Sequence, residues 1–196
     1  EDAMEVLRVL SGLQPVNGRF ETIHSPKGWT AVIDYAHTPD AVENVLRTIN
    51  EIVAANAGKR TEPAQVITVV GCGGNRDKGK RPIMARIAFE NSTQLILTSD
   101  NPRDEEPHAI LQDMAAGLTA EELQRVLIIE DRASAIKTAC TLARQGDVVL
   151  VAGKGHEDYQ EICGVKHHMA ERDLIREILE EEDVTKICGY NNRYFA

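Results

Sequence analysis

The sequence predicts an α/β protein, a three-layer sandwich in which a mostly parallel sheet carries helices on both faces. Three observations carry that expectation. Short apolar runs alternate with longer segments of helical periodicity, the signature of strand–helix–strand crossovers. The run Gln65-Val66-Ile67-Thr68-Val69-Val70 is too continuous to alternate and reads as a strand buried on both faces. The length of 196 residues, with 42% apolar and 27% charged residues, suits one ordered globular domain.

The elements follow in order. After an opening amphipathic stretch, Arg19 to Ser25 reads as a strand, paired antiparallel ahead of the first crossover unit. Ala31-Val32-Ile33 is a β-rich run ending at Asp34. From Asp40 to Ala55, Val42, Val45, Leu46, Ile49, Ile52 and Val53 share one face of a helix. The strand over 65–70 runs into a glycine cluster and then a helix from Pro82 to Asn91. Leu95 to Thr98 is the next strand, followed by a helix from Pro107 to Gly117. Val126 to Ile129 and the helix Arg132 to Arg144 repeat the cycle, and Val148 to Val151 is the last buried strand. Tyr159 to Val165 reads as a short hairpin, leading to a final helix over Glu171 to Leu179. Residues 1–180 are expected to form one domain, and 181–196 a poorly ordered tail.

The formal net charge of −9, from 22 basic and 31 acidic residues, argues against unspecific binding to nucleic acid or to an anionic membrane. No apolar run approaches the roughly 18–20 residues of a membrane helix. The start, Glu-Asp-Ala-Met, has neither the basic nor the apolar part of a signal peptide. Cys72, Cys140, Cys163 and Cys188 form no Cys-x-x-Cys pair, so they read as small apolar packing groups in a reducing, cytoplasmic protein.

In a parallel sheet, ligands bind beyond the carboxyl ends of the strands, and the polar motifs of this sequence stand there. Gly74 to Lys80 fits G-x-x-x-x-G-K, but Arg81 replaces the Ser or Thr that would hold magnesium. What remains is a glycine-rich turn with Arg76, Lys78, Lys80 and Arg81 nearby, suited to an anion or simply a basic turn. Asp100-Asn101-Pro102-Arg103 could hold an amide and a guanidinium in one orientation, although by itself it reads as a plain turn. Gly153-Lys154-Gly155-His156-Glu157 combines close backbone approach with three ionisable groups, and His156 reads as structural. His167-His168 lacks partners at metal-ligand spacing, and no metal site is expected.

Together, Gly18-Arg19-Phe20-Glu21, Asp34-Tyr35-Ala36-His37-Thr38-Pro39-Asp40, Gly71 to Pro82, Asp100 to Arg103 and Gly153 to Gln160 resemble the carboxy-terminal domain of the Mur ligases. Within that family the likeness is to the MurE type. The resemblance implies a Rossmann-like three-layer fold and an ATP- and Mg2+-dependent amide ligase of bacterial peptidoglycan synthesis. Such a ligase joins the D-Glu carboxylate of UDP-MurNAc-L-Ala-D-Glu to the amine of meso-diaminopimelate. It implies that Asp100, Asn101, Pro102 and Arg103, with Arg76, Gly153 and Glu157, bind the diamino acid. Arg103 and Arg76 would take its distal carboxylate and Glu157 an ammonium. Arg19, Asp34 and His37 would approach ATP when the domain closes. No catalytic residue is expected within this domain. The motifs of the family's ATPase and UDP-binding domains have no counterpart here, so the chain is expected to be a monomeric, cytoplasmic acceptor domain, inactive alone. One departure stands at His168-Met169-Ala170-Glu171-Arg172, where the family usually has Phe-Asp-Asp-Arg-Glu. Three alternatives stay open: a stand-alone nucleotide- or anion-binding module, an interaction domain, and a lysine-adding ligase.

Overall fold

The computed structural model describes residues 18–57 and 63–191, with side chains as far as Glu181. In chain order the elements are β1 (Glu21–His24), β2 (Thr30–Asp34), α1 (Pro39–Ala55), β3 (Val66–Cys72), α2 (Lys80–Glu90), β4 (Gln94–Ser99) and α3 (Pro107–Ala115). Then come α4 (Ala120–Leu123), β5 (Val126–Ile128), α5 (Arg132–Leu142), β6 (Val148–Ala152), β7 (Tyr159–Ile162), β8 (Val165–His168) and α6 (Glu171–Asn191). Six strands form one sheet in the order β1-β2-β6-β3-β4-β5, and β7 with β8 forms a separate hairpin. The β1–β2 pair is antiparallel, with Thr22 opposite Val32, and every other pair in the large sheet is parallel.

Alternation along the strands builds two cores. Val66, Val70, Leu95, Leu97 and Leu150 face one side, where they meet α1, α2 and α3 through residues such as Leu46, Met84 and Met114. Ile67, Val69, Ile96, Val149 and Val151 face the other, against α5 and α6 through Ile136, Ala139 and Ile175. Helices therefore cover both faces, as the continuous apolar strands require. The apolar face of α1 buries Val42, Val45, Leu46 and Ile49, four of the six residues its periodicity singles out; Ile52 and Val53, in its last turn, are half-buried. Thr38 caps this helix by accepting from the Ala41 N–H, and Pro39 starts it with φ already in the helical range.

Three differences from the sequence reading have local causes. The helix after Pro107 stops at Ala115, and a further short helix, α4, follows. Thr119 and Glu122 form a reciprocal capping box there, a signature the apolar pattern does not register. The last helix does not stop near Leu179 but continues to Asn191, so residues 181–191, read as tail, are helical. Glu180, Glu181 and Glu182 are strong helix formers, and no glycine or proline interrupts before Gly189. Cys72 and Cys140 are buried as expected, whereas Cys163 is exposed at the turn of the hairpin, with φ of 48°. Burial pushes the Cys72 thiol up to about 12, an inert group. The opening amphipathic stretch lies outside the described residues. Among the described residues, no helix is long and apolar enough to cross a membrane.

Candidate functional site

The parallel register brings four strand ends level: Asp34 and Val70 each pair with Ala152, and Cys72 pairs with Ser99. The loops that follow β2, β3, β4 and β6 therefore share one rim, where the sequence placed its polar motifs.

At the centre of the rim is Asn101, 3% exposed. Its Oδ1 accepts from the Lys154 ammonium at 2.9 Å and from the Glu161 N–H at 2.9 Å. With two donors on Oδ1, its amide nitrogen must face the other way, where it donates to Glu157 Oε2 at 2.9 Å. Lys154 is wholly buried and also reaches Glu157 Oε2 at 3.1 Å and Asp100 Oδ1 at 3.8 Å. Both contacts to Glu157 fall on one oxygen, and among the described residues no hydrogen bond is made to Oε1. Glu157 is thus an oriented carboxylate with acceptor capacity at the surface.

Arg103 enters from the adjacent loop with φ of 52°, a left-handed conformation unfavourable for a side chain of this size. The hairpin holds it there. The Arg103 N–H donates to the Glu161 carbonyl at 3.0 Å, and the Arg103 carbonyl accepts from the Cys163 N–H at 2.7 Å. Gln160 Nε2 adds a bond to the Asp100 carbonyl at 2.6 Å. The guanidinium donates to the Gly74 carbonyl at 2.9 Å, and its Nε lies 3.4 Å from Glu161 Oε2. Pro102 is buried between these partners. Gly153, with φ of 122°, packs so closely against this loop that a Cβ would stand 2.8 Å from Asp100 Oδ2.

The glycine-rich turn after β3 is bonded within itself and to the loop after β4, which favours the basic turn over the anion site, the two readings its sequence left open. The Gly74 N–H donates to the Asn101 carbonyl, that of Asn75 to Glu105, and that of Gly79 to Asp77. Arg81 is fully buried and donates to Glu105, Asp113 and the Gly73 carbonyl. Hydrogen bonding to Arg81 and to the Asn75 N–H holds the Glu105 carboxyl down at about 2. Lys78 pairs with Glu105, and Lys80 donates to the His37 carbonyl. Only Arg76 differs: it is exposed, and its one hydrogen bond among the described residues is a long one to the Asn75 carbonyl, 3.4 Å. A Cβ at Gly73 would lie 2.8 Å from Arg103 Nη1 and 3.7 Å from Arg76 Cγ, so the Arg103 guanidinium and the Arg76 stem both flank Gly73.

Arg19, Asp34 and His37 stand farther along the rim. Asp34 accepts from the Phe20 N–H at 2.8 Å, which anchors the exposed Arg19 beside it. The His37 Nδ1–H donates to the Tyr35 carbonyl at 2.8 Å, and the Tyr35 ring contacts the rings of both His37 and His156, at 4.6 and 5.3 Å between centroids. His167 and His168 are exposed on β8. Among the described residues, no cluster of three or more His, Cys, Asp or Glu is placed to hold a metal ion.

Sequence reasoning passed over four residues here. Lys154 and Glu161 orient Asn101, although the motif around Lys154 gives that lysine no role by itself. Arg132 and Glu171 form a buried pair behind the rim, 2.6 Å apart. Burial pushes the Glu171 carboxyl up, against the pull of Arg132. A charged residue opening each of two helices that cover a core face was the available signal.

A family model described as Mur ligase, glutamate ligase domain, matches residues 18–155. A UDP-N-acetylmuramoyl-L-alanyl-D-glutamate--2,6-diaminopimelate ligase from Parabacteroides distasonis is 59% identical over 182 residues, 93% of this chain and 36% of the relative. Its namesake from Aquifex aeolicus is 51% identical over 164 residues, 84% of this chain and 32% of the relative. A solved structure of a ligase with that name is 40% identical, with a TM-score of 0.74 over 91% of this chain and 34% of its own. The chain spans about one third of the length of the curated relatives it matches.

Proposed function

The chain belongs to the Mur ligase family, through that family's glutamate ligase domain, and from that premise we propose that it is the acceptor-binding domain of a ligase adding meso-diaminopimelate to UDP-MurNAc-L-Ala-D-Glu. One observation carries the reading: Asn101 links an oriented carboxylate, Glu157, to which its amide donates, with the Arg103 guanidinium, which donates to the Asn101 carbonyl and is held by the Gly74 carbonyl of the neighbouring turn. An amino-acid head group presents the complementary pair, an ammonium and a carboxylate. Arg103, with Arg76 across Gly73, takes the distal carboxylate, and Glu157 takes an ammonium through Oε1. Asp100, Pro102 and Gly153 fix the loops that present them.

The work proposed for these residues is binding and orientation. Holding the free amine at a fixed place and angle lowers the entropic part of the barrier and requires no general base from this domain. ATP, bound with Mg2+ by the whole ligase, would supply the phosphoryl group that activates the D-Glu carboxylate, and phosphate would leave as the amine attacks. The turn after β3 does not fit its phosphates, because the backbone N–H groups of Gly74, Asn75 and Gly79 already donate within the protein. Arg19, Asp34 and His37 are the rim residues proposed to approach ATP on closure. By itself the chain is expected to catalyse no ligation.

L-Lysine lacks the distal carboxylate. It would leave guanidinium donors unmatched, at about 1.5–3 kcal/mol for each charged hydrogen bond lost, so discrimination of tenfold or more is expected. Titration with meso-diaminopimelate and with L-lysine, followed by amide chemical shifts, tests this. Shifts at Asn101, Arg103 and Glu157 with diaminopimelate alone, weakened at least about tenfold in Arg103→Ala, support the reading. Equal response to lysine, or binding that survives Arg103→Ala, sinks it.

A further inference from the structure

We infer that Arg132 is a positioning residue, which sets the separation of the Asp100–Arg103 loop and the Gly153–Glu157 turn by clamping the ends of β4 and β6. In the sheet β3 lies between these strands, so no ladder bond couples them. Arg132 spans the gap. Its Nη1 donates to the Ser99 carbonyl at 3.3 Å and its Nη2 to the Ala152 carbonyl at 2.9 Å, the residues immediately before Asp100 and Gly153. Its Nε donates to Glu171 Oε1 at 2.7 Å. A planar fork can address three acceptors in different directions at once, which an ammonium on a flexible stem cannot do with the same geometry.

The placement opposes every local rule. Arg132 is the first residue of α5, at the end of the helix dipole that repels a cation, and it is 1% exposed. Glu171 offsets this as the first residue of α6, with its side chain wholly buried and one oxygen, Oε2, left without a partner. Replacing such a pair with apolar residues is often neutral or stabilising, so stability alone gives little reason to keep it. A breach of local rules of this kind is expected where a site is being built. The site is adjacent: where Gly153 lacks a Cβ, Asp100 Oδ2 and Arg132 Nη2 would be 2.8 and 3.9 Å from that atom. Every bond from Lys154 to Asn101 and from Asn101 to Glu157 crosses between the two clamped loops.

The inference rests on the acceptor-binding reading for the ligand's identity and on geometry for the rest, so its first readout needs no ligand. The Asn101 side-chain amide donates across the loops to Glu157, and its solvent exchange reports their separation. In the full chain, Arg132→Met with Glu171→Met is expected to leave the melting temperature near that of the parent and the core amide of Val69 protected. Exchange of the Asn101 side-chain amide should accelerate about tenfold or more, and meso-diaminopimelate, where the parent binds it, should titrate at correspondingly higher concentration. Arg132→Lys keeps a charge for Glu171 and serves as the second variant, with the same local change expected. Parental protection of Asn101 in either folded variant overturns the proposal, as does equal loss at Asn101 and Val69, which is the mark of mere destabilisation. Loss at Asn101 in variants of a parent that does not bind diaminopimelate upholds the clamp and faults the ligand instead.

Discussion

Two glycine-bearing turns meet on the rim of this sheet, and they put similar residues to opposite uses. The turn after β3 has more glycines and more cations, and the better match to a phosphate-binding pattern. Apart from Arg76, its bonded N–H groups and charges nevertheless end within the protein, on Asn101, Glu105, Asp77, Asp113 and the His37 carbonyl. The turn after β6 has fewer of both, yet it leaves a carboxylate oriented and only partly engaged. Glycine in both turns serves close approach of backbone to backbone or side chain, and says little about a ligand. What separates the two is whether the polar groups are satisfied from within. A motif shows residue types, and only the fold shows which of them still have something to bind.

The largest effect expected from this contrast is in the first turn. A Cβ at Gly74 would stand 1.8 Å from the Pro102 carbonyl oxygen, a backbone atom that moves only with its loop. Gly74→Ala should therefore destabilise the chain by about 3 kcal/mol, the upper range for overpacking, and displace Arg103 from the Gly74 carbonyl. Urea denaturation measures this; a loss below about 1 kcal/mol would show that the turns are not locked together as described.

Next in size is Glu157→Gln in the second turn. The amide keeps an oxygen for Lys154 and similar volume, and Asp100 still faces the ammonium at 3.8 Å. Stability should fall by about 1 kcal/mol, while affinity for meso-diaminopimelate falls at least about tenfold with the loss of a charged hydrogen bond. A large stability loss with unchanged affinity would make the second turn as structural as the first, and the contrast would collapse.

How much of this was legible in the sequence follows from the range of the forces involved. Local periodicity carries the strands, the face of α1 and the crossover topology, because burial of an apolar face is written into consecutive residues. The strand ends follow, and with them the gathering of Asp34, Asn101, Arg103 and Glu157 on one rim. The partners do not. Arg81 reads as a cation beside a glycine turn, and only the fold brings Glu105 and Asp113 to it from a later loop and helix. Lys154 and Glu161 orient Asn101 across separations of 53 and 60 residues. Arg132 and Glu171 pair over 39, and no periodicity reaches that far. The resemblance to a family points to the residues proposed to meet a ligand, and is silent on Lys154, Glu161, Arg132 and Glu171, which hold them in place.

The smallest effect expected is at Gly79, in the same turn as Gly74. Its φ of −63° and ψ of −28° are helical, so alanine adopts them without strain. A Cβ there would lie 3.2 Å from Asp77 Oδ1, the end of an exposed side chain that can tilt by a few tenths of an ångström and still accept the Gly79 N–H. Alanine also restricts the unfolded chain, a gain of about 0.4–1 kcal/mol where the native conformation is compatible. Gly79→Ala should thus leave stability unchanged or raise it by about 0.5 kcal/mol. Were the Gly74 to Lys80 turn a phosphate loop after all, Gly79 would belong to its cradle, and the variant would lose affinity for inorganic phosphate. On the present reading neither the parent nor the variant holds phosphate at this turn, so a phosphate-dependent rise in the parent's melting temperature that disappears in Gly79→Ala would reverse the assignment of the two turns.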